Sequence, residues 1–338
     1  AAGDGILALF GLLWRTTDLF LLGDPAAERS LTELRQRSAT LGVASTRYIV
    51  TCMDVMRLIR AGKFDEAEAA TGPCLQEGLE VGDADSTGYY AAQLLDIRWL
   101  QGRDAELADL VTQTLSSATL AVGEYGFRAS AVMVLARAGR VTEARAVLTP
   151  MLEIGLVNVP RSSTWLAAMT ALVEAAVILN DPWLASEVAD LLRPFADLPV
   201  TVSLAVCCLG SVSSALGLAS LLAGDAVAAV SHLEKAVQVN VRIDNRPEAA
   251  ISRAQLAKAL VARGKQGDLG QARALLTQAI GEAHAMDMPK RVEEWTAQAD
   301  SLTPSNTPAV LHWSSGTGWA VRTGNASFPL PELVGLDY

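Results

Sequence analysis

Apolar residues return along this chain at helical spacing, in segments of roughly fifteen to twenty residues broken by Gly, Asn or Pro. A marker orders these segments. Gly or Asn closes one of them, and a small residue follows inside the next: Gly62 with Ala67, Gly139 with Ala144, Asn180 with Ala185, Gly224 with Ala229, and Gly267 with Ala272. Gly102 with Leu107 and Gly23 with Glu28 are weaker members. The physical reading is a helical hairpin. Gly or Asn takes the left-handed turn, and a small side chain one turn later lets the second helix cross the first closely. After Ala229 the same face continues with Leu233 and Ala236, and after Ala272 with Leu276 and Ala279.

The pattern predicts helices over 5–22, 25–41, 45–61, 64–81, 84–101, 105–118, 124–138, 141–154, 163–179, 182–194, 202–223, 226–243, 247–263, 269–286 and 290–301. Ser45, Asp83, Ser163 and Asp181 stand where caps belong, and Pro182 and Pro247 suit first-turn positions. Residues 198–224 carry no charge and are long enough for a bilayer, but six Ser and Thr, the lack of aromatic anchors and the fit to the repeat favour a buried soluble helix. After 303 the periodicity changes. Residues 303–309 read as a polar linker. The stretch 310–338 reads as the start of a following module, with short alternating strands at 310–313 and 319–322 and turn-rich residues at 314–318 and 324–327. The expectation is therefore all-α: a superhelical stack of about seven tetratricopeptide-like hairpins over 1–302, ending in a short β-hairpin-like tail.

Composition narrows the chemistry. Hydrophobic residues make up 51% of the chain and the net charge is −10, which disfavours direct nucleic-acid binding. Cys52, Cys74, Cys207 and Cys208 read as small buried hydrophobes of a reducing cytosol, the last two adjacent on a helix. The opening run 5–14 is apolar but has no basic leader or cleavage site, and the missing initiator Met suggests a fragment of a longer chain. Neither Gly62-Lys63 nor Gly264-Lys265 has the upstream glycine of a phosphate-binding loop. Gly316 and Gly318 lack the third glycine of a dinucleotide fingerprint. His232, His284 and His312 lie far apart, and Glu293-Glu294 reads as a solvated helix face. No catalytic residue, cofactor or metal site is expected.

The segment from Leu216 to Ala236 resembles a tetratricopeptide repeat: Leu216 and Gly217 match its Leu-Gly pair, and Gly224, Ala229, Leu233 and Ala236 follow at its spacing. The period here is about 41 residues, against 34 in that family. More widely, Pro160-Arg161-Ser162-Ser163-Thr164-Trp165-Leu166, Pro194-Phe195-Ala196-Asp197, Cys208-Leu209-Gly210, Leu216-Gly217-Leu218 and Arg246-Pro247 leading into Arg253-Ala254-Gln255-Leu256-Ala257 carry a resemblance to large multidomain bacterial signalling proteins. So does the tail, through Trp319, Phe328, Leu330, Gly335, Leu336 and Tyr338. Proteins of that kind join a signal-transduction ATPase, or in relatives a nucleotide cyclase, to a tetratricopeptide-like region, and many end in a LuxR-type helix-turn-helix. Ser162 stands where they often carry an acidic residue.

The resemblance implies a cytoplasmic, non-catalytic interaction and regulatory module. Its partners would be a protein or other domains of its own chain, with no direct contact to nucleic acid or membrane. The alternative is a small-molecule effector sensor, as likeness to maltose-type regulators allows. In either case the first helix of each pair should line the concave face. Repeat phase then puts Arg60, Tyr89, Asp96, Arg137, Glu174 and Lys258 in the groove, with Trp99 and Trp165 as aromatic anchors or core.

Overall fold

The computed structural model describes residues 2–115, 125–302, 310–314, 318–323 and 326–329. Each marker turns the chain as its residue type requires: Gly23, Gly62, Gly102, Gly139, Asn180, Gly224 and Gly267 all have φ between 51° and 90°. Helices form between the turns: α1 (Ala2–Leu22), α2 (Ala26–Leu41), α3 (Ala44–Arg60), α4 (Phe64–Glu80), α5 (Ser86–Gln101), α6 (Asp104–Leu115), α7 (Tyr125–Arg137), α8 (Val141–Ile154), α9 (Trp165–Ile178) and α10 (Pro182–Leu192). Two strands, β1 (Pro199–Val202) and β2 (Cys207–Ser211), follow. Then come α11 (Val212–Leu222), α12 (Ala226–Arg242), α13 (Arg246–Arg263), α14 (Asp268–Ala285) and α15 (Pro289–Ser301). The expected end of the sixth helix at 116–118, the start of the seventh at 124 and the linker 303–309 lie outside the described residues.

The α11–α12 turn shows how the sequence builds a pair. The Gly224 amide donates to the Leu221 carbonyl (3.1 Å), and the Asp225 amide donates to that of Ser220 (2.9 Å), which closes α11. The Asp225 carboxylate then accepts from the Ala228 amide (2.9 Å) and opens α12. Ala229, Leu233 and Ala236 are fully buried on the face that results. A Cβ on Gly217 would stand 2.5 Å from Leu233 Cγ, so the Leu-Gly pair is a packing requirement. The capping expectations met a mixed outcome. Asp181 caps α10 through the Leu184 amide, Pro182 opens it, and Pro247 lies in the first turn of α13. Ser45 lies inside α3, Asp83 serves the Asp85 amide, and Ser163 lies outside α9.

Most consecutive helices pack against one another, α8–α9 and α14–α15 excepted, and α7, α9, α11 and α13 touch in succession. The late helices then return to the early ones. α13 touches α3, Met286 lies against Gly62, and the Arg246 guanidinium donates to the Ala61 carbonyl (3.1 Å). Lys290 lies against Gly102.

The stretch 198–224 departs from the single helix expected over 202–223. Its first half is the antiparallel β1–β2 hairpin, paired Val202 to Cys207 and Thr201 to Cys208, and α11 begins only at Val212. The β-branched run Val200-Thr201-Val202 favours strand. Ser203 and Ala205 take left-handed conformations in the turn, and Ser211 is extended and caps α11 through the Ser213 amide (3.1 Å). Cys207 and Cys208 therefore stand on opposite faces of a strand, not on a helix. The hairpin contacts α1, α3, α5, α9, α11, α12 and α13, so helices pack around it on several sides.

One described helix segment, Asp4–Leu22, is long and apolar enough to cross a membrane. It buries Leu9, Leu12, Leu13 and Phe20 and exposes Ile6, Leu7, Phe10 and Trp14. Residues 298–338 form a separate unit. In it β3 (Val310–Ser314), β4 (Gly318–Thr323) and β5 (Ala326–Pro329) make an antiparallel meander. β5 begins within the stretch 324–327 expected as turn, and the tail positions Leu330, Gly335, Leu336 and Tyr338 lie outside the described residues.

Candidate functional site

The interior is built on one face of α5. Tyr89, Gln93 and Asp96 recur at helical spacing and are all buried. The Tyr89 hydroxyl bonds the Ser203 hydroxyl (3.1 Å) at the hairpin turn, and its ring stacks with Tyr48. Gln93 donates to the Val206 carbonyl (3.0 Å) and the Cys52 carbonyl (3.1 Å), tying the hairpin to α3. From the other side, the Asn245 amide donates to the Cys208 carbonyl (2.8 Å). A Cβ on Gly210 would meet the Glu248 carboxylate at 2.6 Å.

Acids gather around this hairpin. Burial pushes the Asp96 carboxyl up to about 8, and its Oδ2 has no hydrogen-bond partner. Glu248 is also pushed up to about 8, by burial first and then by the charges of Asp96 and Glu174, with Arg291 opposing. Burial raises Glu174, and Arg291 and Arg137 counter it. Arg137 pairs with Glu294 (3.2 Å), and both Arg137 and Arg291 lie over the ring of Trp99, at 4.8 Å and 5.8 Å from its centroid.

At one mouth of this interior a cavity of about 460 Å³ opens between α1, α3, the hairpin and the end of α12. Phe20, Met56, Arg60, Thr201 and Cys208 form its buried floor. Thr201 and Cys208 are cross-strand partners, so they share a face. Arg60 is 8% exposed. Its Nη1 lies 3.7 Å from Glu28 Oε1, its guanidinium covers the Phe20 ring, and its Nε has no partner. The Thr201 hydroxyl is likewise buried and unpartnered. Burial raises the Cys208 thiol, and the Arg60 charge opposes that rise. Exposed Asp24, Asp244 and Arg242 stand at the rim.

Five of the six residues singled out by repeat phase, Arg60, Tyr89, Asp96, Arg137 and Glu174, thus surround one interior, which is filled rather than an open groove. Lys258 is exposed on α13 and does not join them. Trp99 is half-buried between two arginines, while Trp165 is core, edge-on to Phe195. Gln93, Thr201, Asn245 and Glu248 escaped sequence reasoning. Only Gln93 carried a signal, since it shares the stripe of Tyr89 and Asp96. All four cysteines are free and buried, and Cys52 and Cys74 are in contact (Sγ to Sγ 3.5 Å). Among the described residues no group of three or more His, Cys, Asp or Glu could hold a metal ion. No protein-family model matches the chain, and no curated protein matches it.

Proposed function

We propose that this chain is a non-catalytic regulatory module of a multidomain bacterial signalling protein, and that it responds to a small molecule at the mouth of its own filled interior. On this reading the helices are a tetratricopeptide-like row bent until its late pairs meet its early ones. The observation that supports it is the hairpin: β1–β2 packs among seven helices, on this reading in the space where such a row would take a peptide, and beside it lies a cavity of about 460 Å³, the size of small-molecule sites. Arg60 and Thr201 line that cavity and each keeps a buried polar atom without a partner, so a polar ligand would find a charged floor there.

The cavity spans α1, α3, the hairpin and α12, which are distant in sequence, so a ligand there can couple early and late helices. Other domains would read this out on the outer surface. Ile6, Leu7, Phe10 and Trp14 form an exposed apolar stripe on α1 suited to such contact.

The test is thermal denaturation of the chain across a broad metabolite panel. A ligand that binds only the folded form raises Tm by a few degrees. Arg60→Met should remove that rise. A panel with no effect, together with capture of other domains of the parent protein, would support a purely protein-binding module instead.

A further inference from the structure

The cavity has a polarity that selects its ligand. This step rests on the small-molecule reading above and names the chemistry. Among the floor residues Arg60 carries the charge, and its Nε and the Thr201 hydroxyl are both buried without a partner. A guanidinium and an O–H lining one cavity make a donor set for a carboxylate, which accepts parallel hydrogen bonds from arginine. Glu28 does not neutralise this floor on its own, because its nearer partner is Arg57 (2.8 Å).

The rim is different. Asp24 uses one carboxylate oxygen on the Ala26 amide (2.7 Å) and, among the described residues, makes no ion pair, and neither do Asp244 and Arg242. The unpaired rim charge is therefore negative, two carboxylates against one guanidinium. Phe20 and Met56 on the floor, together with Ile243, offer apolar surface.

We infer that the cavity binds a free amino acid with an aliphatic side chain, its carboxylate on Arg60 and Thr201 and its ammonium toward Asp24 and Asp244. A carboxylate on the floor is matched to the guanidinium that lines it. A cation at the rim meets carboxylates that have none. An aliphatic chain covers the apolar surface. A dianionic phosphate suits the floor and is opposed by the rim acids.

The experiment is calorimetric titration of the full chain with leucine, isoleucine, valine and methionine, each compared with its 2-oxo acid. The expected result is binding of at least one amino acid, with its 2-oxo acid at least tenfold weaker. Thr201→Val, which keeps shape and strand propensity, should weaken the amino acid several-fold, and Arg60→Met tenfold or more. The double change Asp24→Asn with Asp244→Asn should weaken the amino acid while leaving the 2-oxo acid unchanged. Equal affinity for an amino acid and its 2-oxo acid overturns the role of the rim. Binding unaffected by Thr201→Val and by the rim changes overturns the site. If none of the four binds while another panel compound shifts Tm in an Arg60-dependent way, the amino-acid inference fails and the small-molecule reading stands. If nothing binds at all, both fall.

Discussion

Between α11 and α14 the helices meet through Gly217, Ala229, Leu233, Ala236, Ala257, Ala272 and Leu276, with no ionisable side chain among them. Around β1–β2 the contacts include Gln93, Asn245, Asp96, Glu248 and Arg60, and two of their polar atoms, Arg60 Nε and Asp96 Oδ2, have no partner. At these crossings the first region gains stability from close apolar packing, and the residues that make them do not titrate. The second spends some of that stability on buried polar groups, and its energy depends on protonation and on whatever fills the mouth. The proposed regulatory role would need both: pairs that hold their shape, and an interior whose balance a small change can move.

The sharpest way to break this contrast is in the apolar region. Leu233→Ala should cost about 2–5 kcal/mol in urea denaturation, since it empties a fully packed crossing, and the loss should be equal at pH 5 and pH 9. A loss that varied with pH would erase the distinction. Gly217→Ala should cost about 1–3 kcal/mol, because the new Cβ stands 2.5 Å from Leu233 Cγ in a core that has little room to give.

The polar region predicts the opposite pH behaviour. Asp96 titrates near 8 in the folded chain and near 4 when unfolded. Between those values the folded state holds the extra proton, so its contribution to stability falls as pH rises from about 4 to about 8. Asp96→Asn removes the charge that must be buried. The variant should be more stable than the parent by about 1–3 kcal/mol at pH 9, with a shallower slope between pH 5 and pH 8, measured by denaturation across that range. Glu248 adds to the same slope in the parent and keeps part of it in the variant. The smallest effect expected is Lys258→Ala, within about 0.5 kcal/mol at any pH, since that side chain faces solvent.

The sequence made one region plain and hid the other, for physical reasons. Turn markers and the small residues after them are local signals, and Gly224 with Ala229 or Asn180 with Ala185 can be read without any knowledge of neighbours. All seven markers adopt the left-handed backbone that their residue types permit. The hairpin is tertiary. Residues 198–211 carry no charge and almost no alternation, because both faces of β1 and β2 are buried, and a strand buried on both faces looks like a buried helix in periodicity. The residues that hold it, Gln93 from α5 and Asn245 from the start of α13, are far away in the chain. Repeat phase did place Arg60, Tyr89, Asp96, Arg137 and Glu174 on the inward side. It could not say that the inside was already full, nor that the cavity at its mouth would borrow Thr201 and Cys208 from strands.

Native-state hydrogen exchange of the amides from Val200 to Ser211 tests the central claim most directly. If the hairpin is the packed interior of the helical body, Val202 and Cys207 exchange only through global opening, as slowly as the amides of α12, and they lose protection together with α12 under mild denaturant. Exchange of those amides orders of magnitude faster than α12, at a rate set by local opening, would mean that β1–β2 is a surface flap and not the packed interior of the helices.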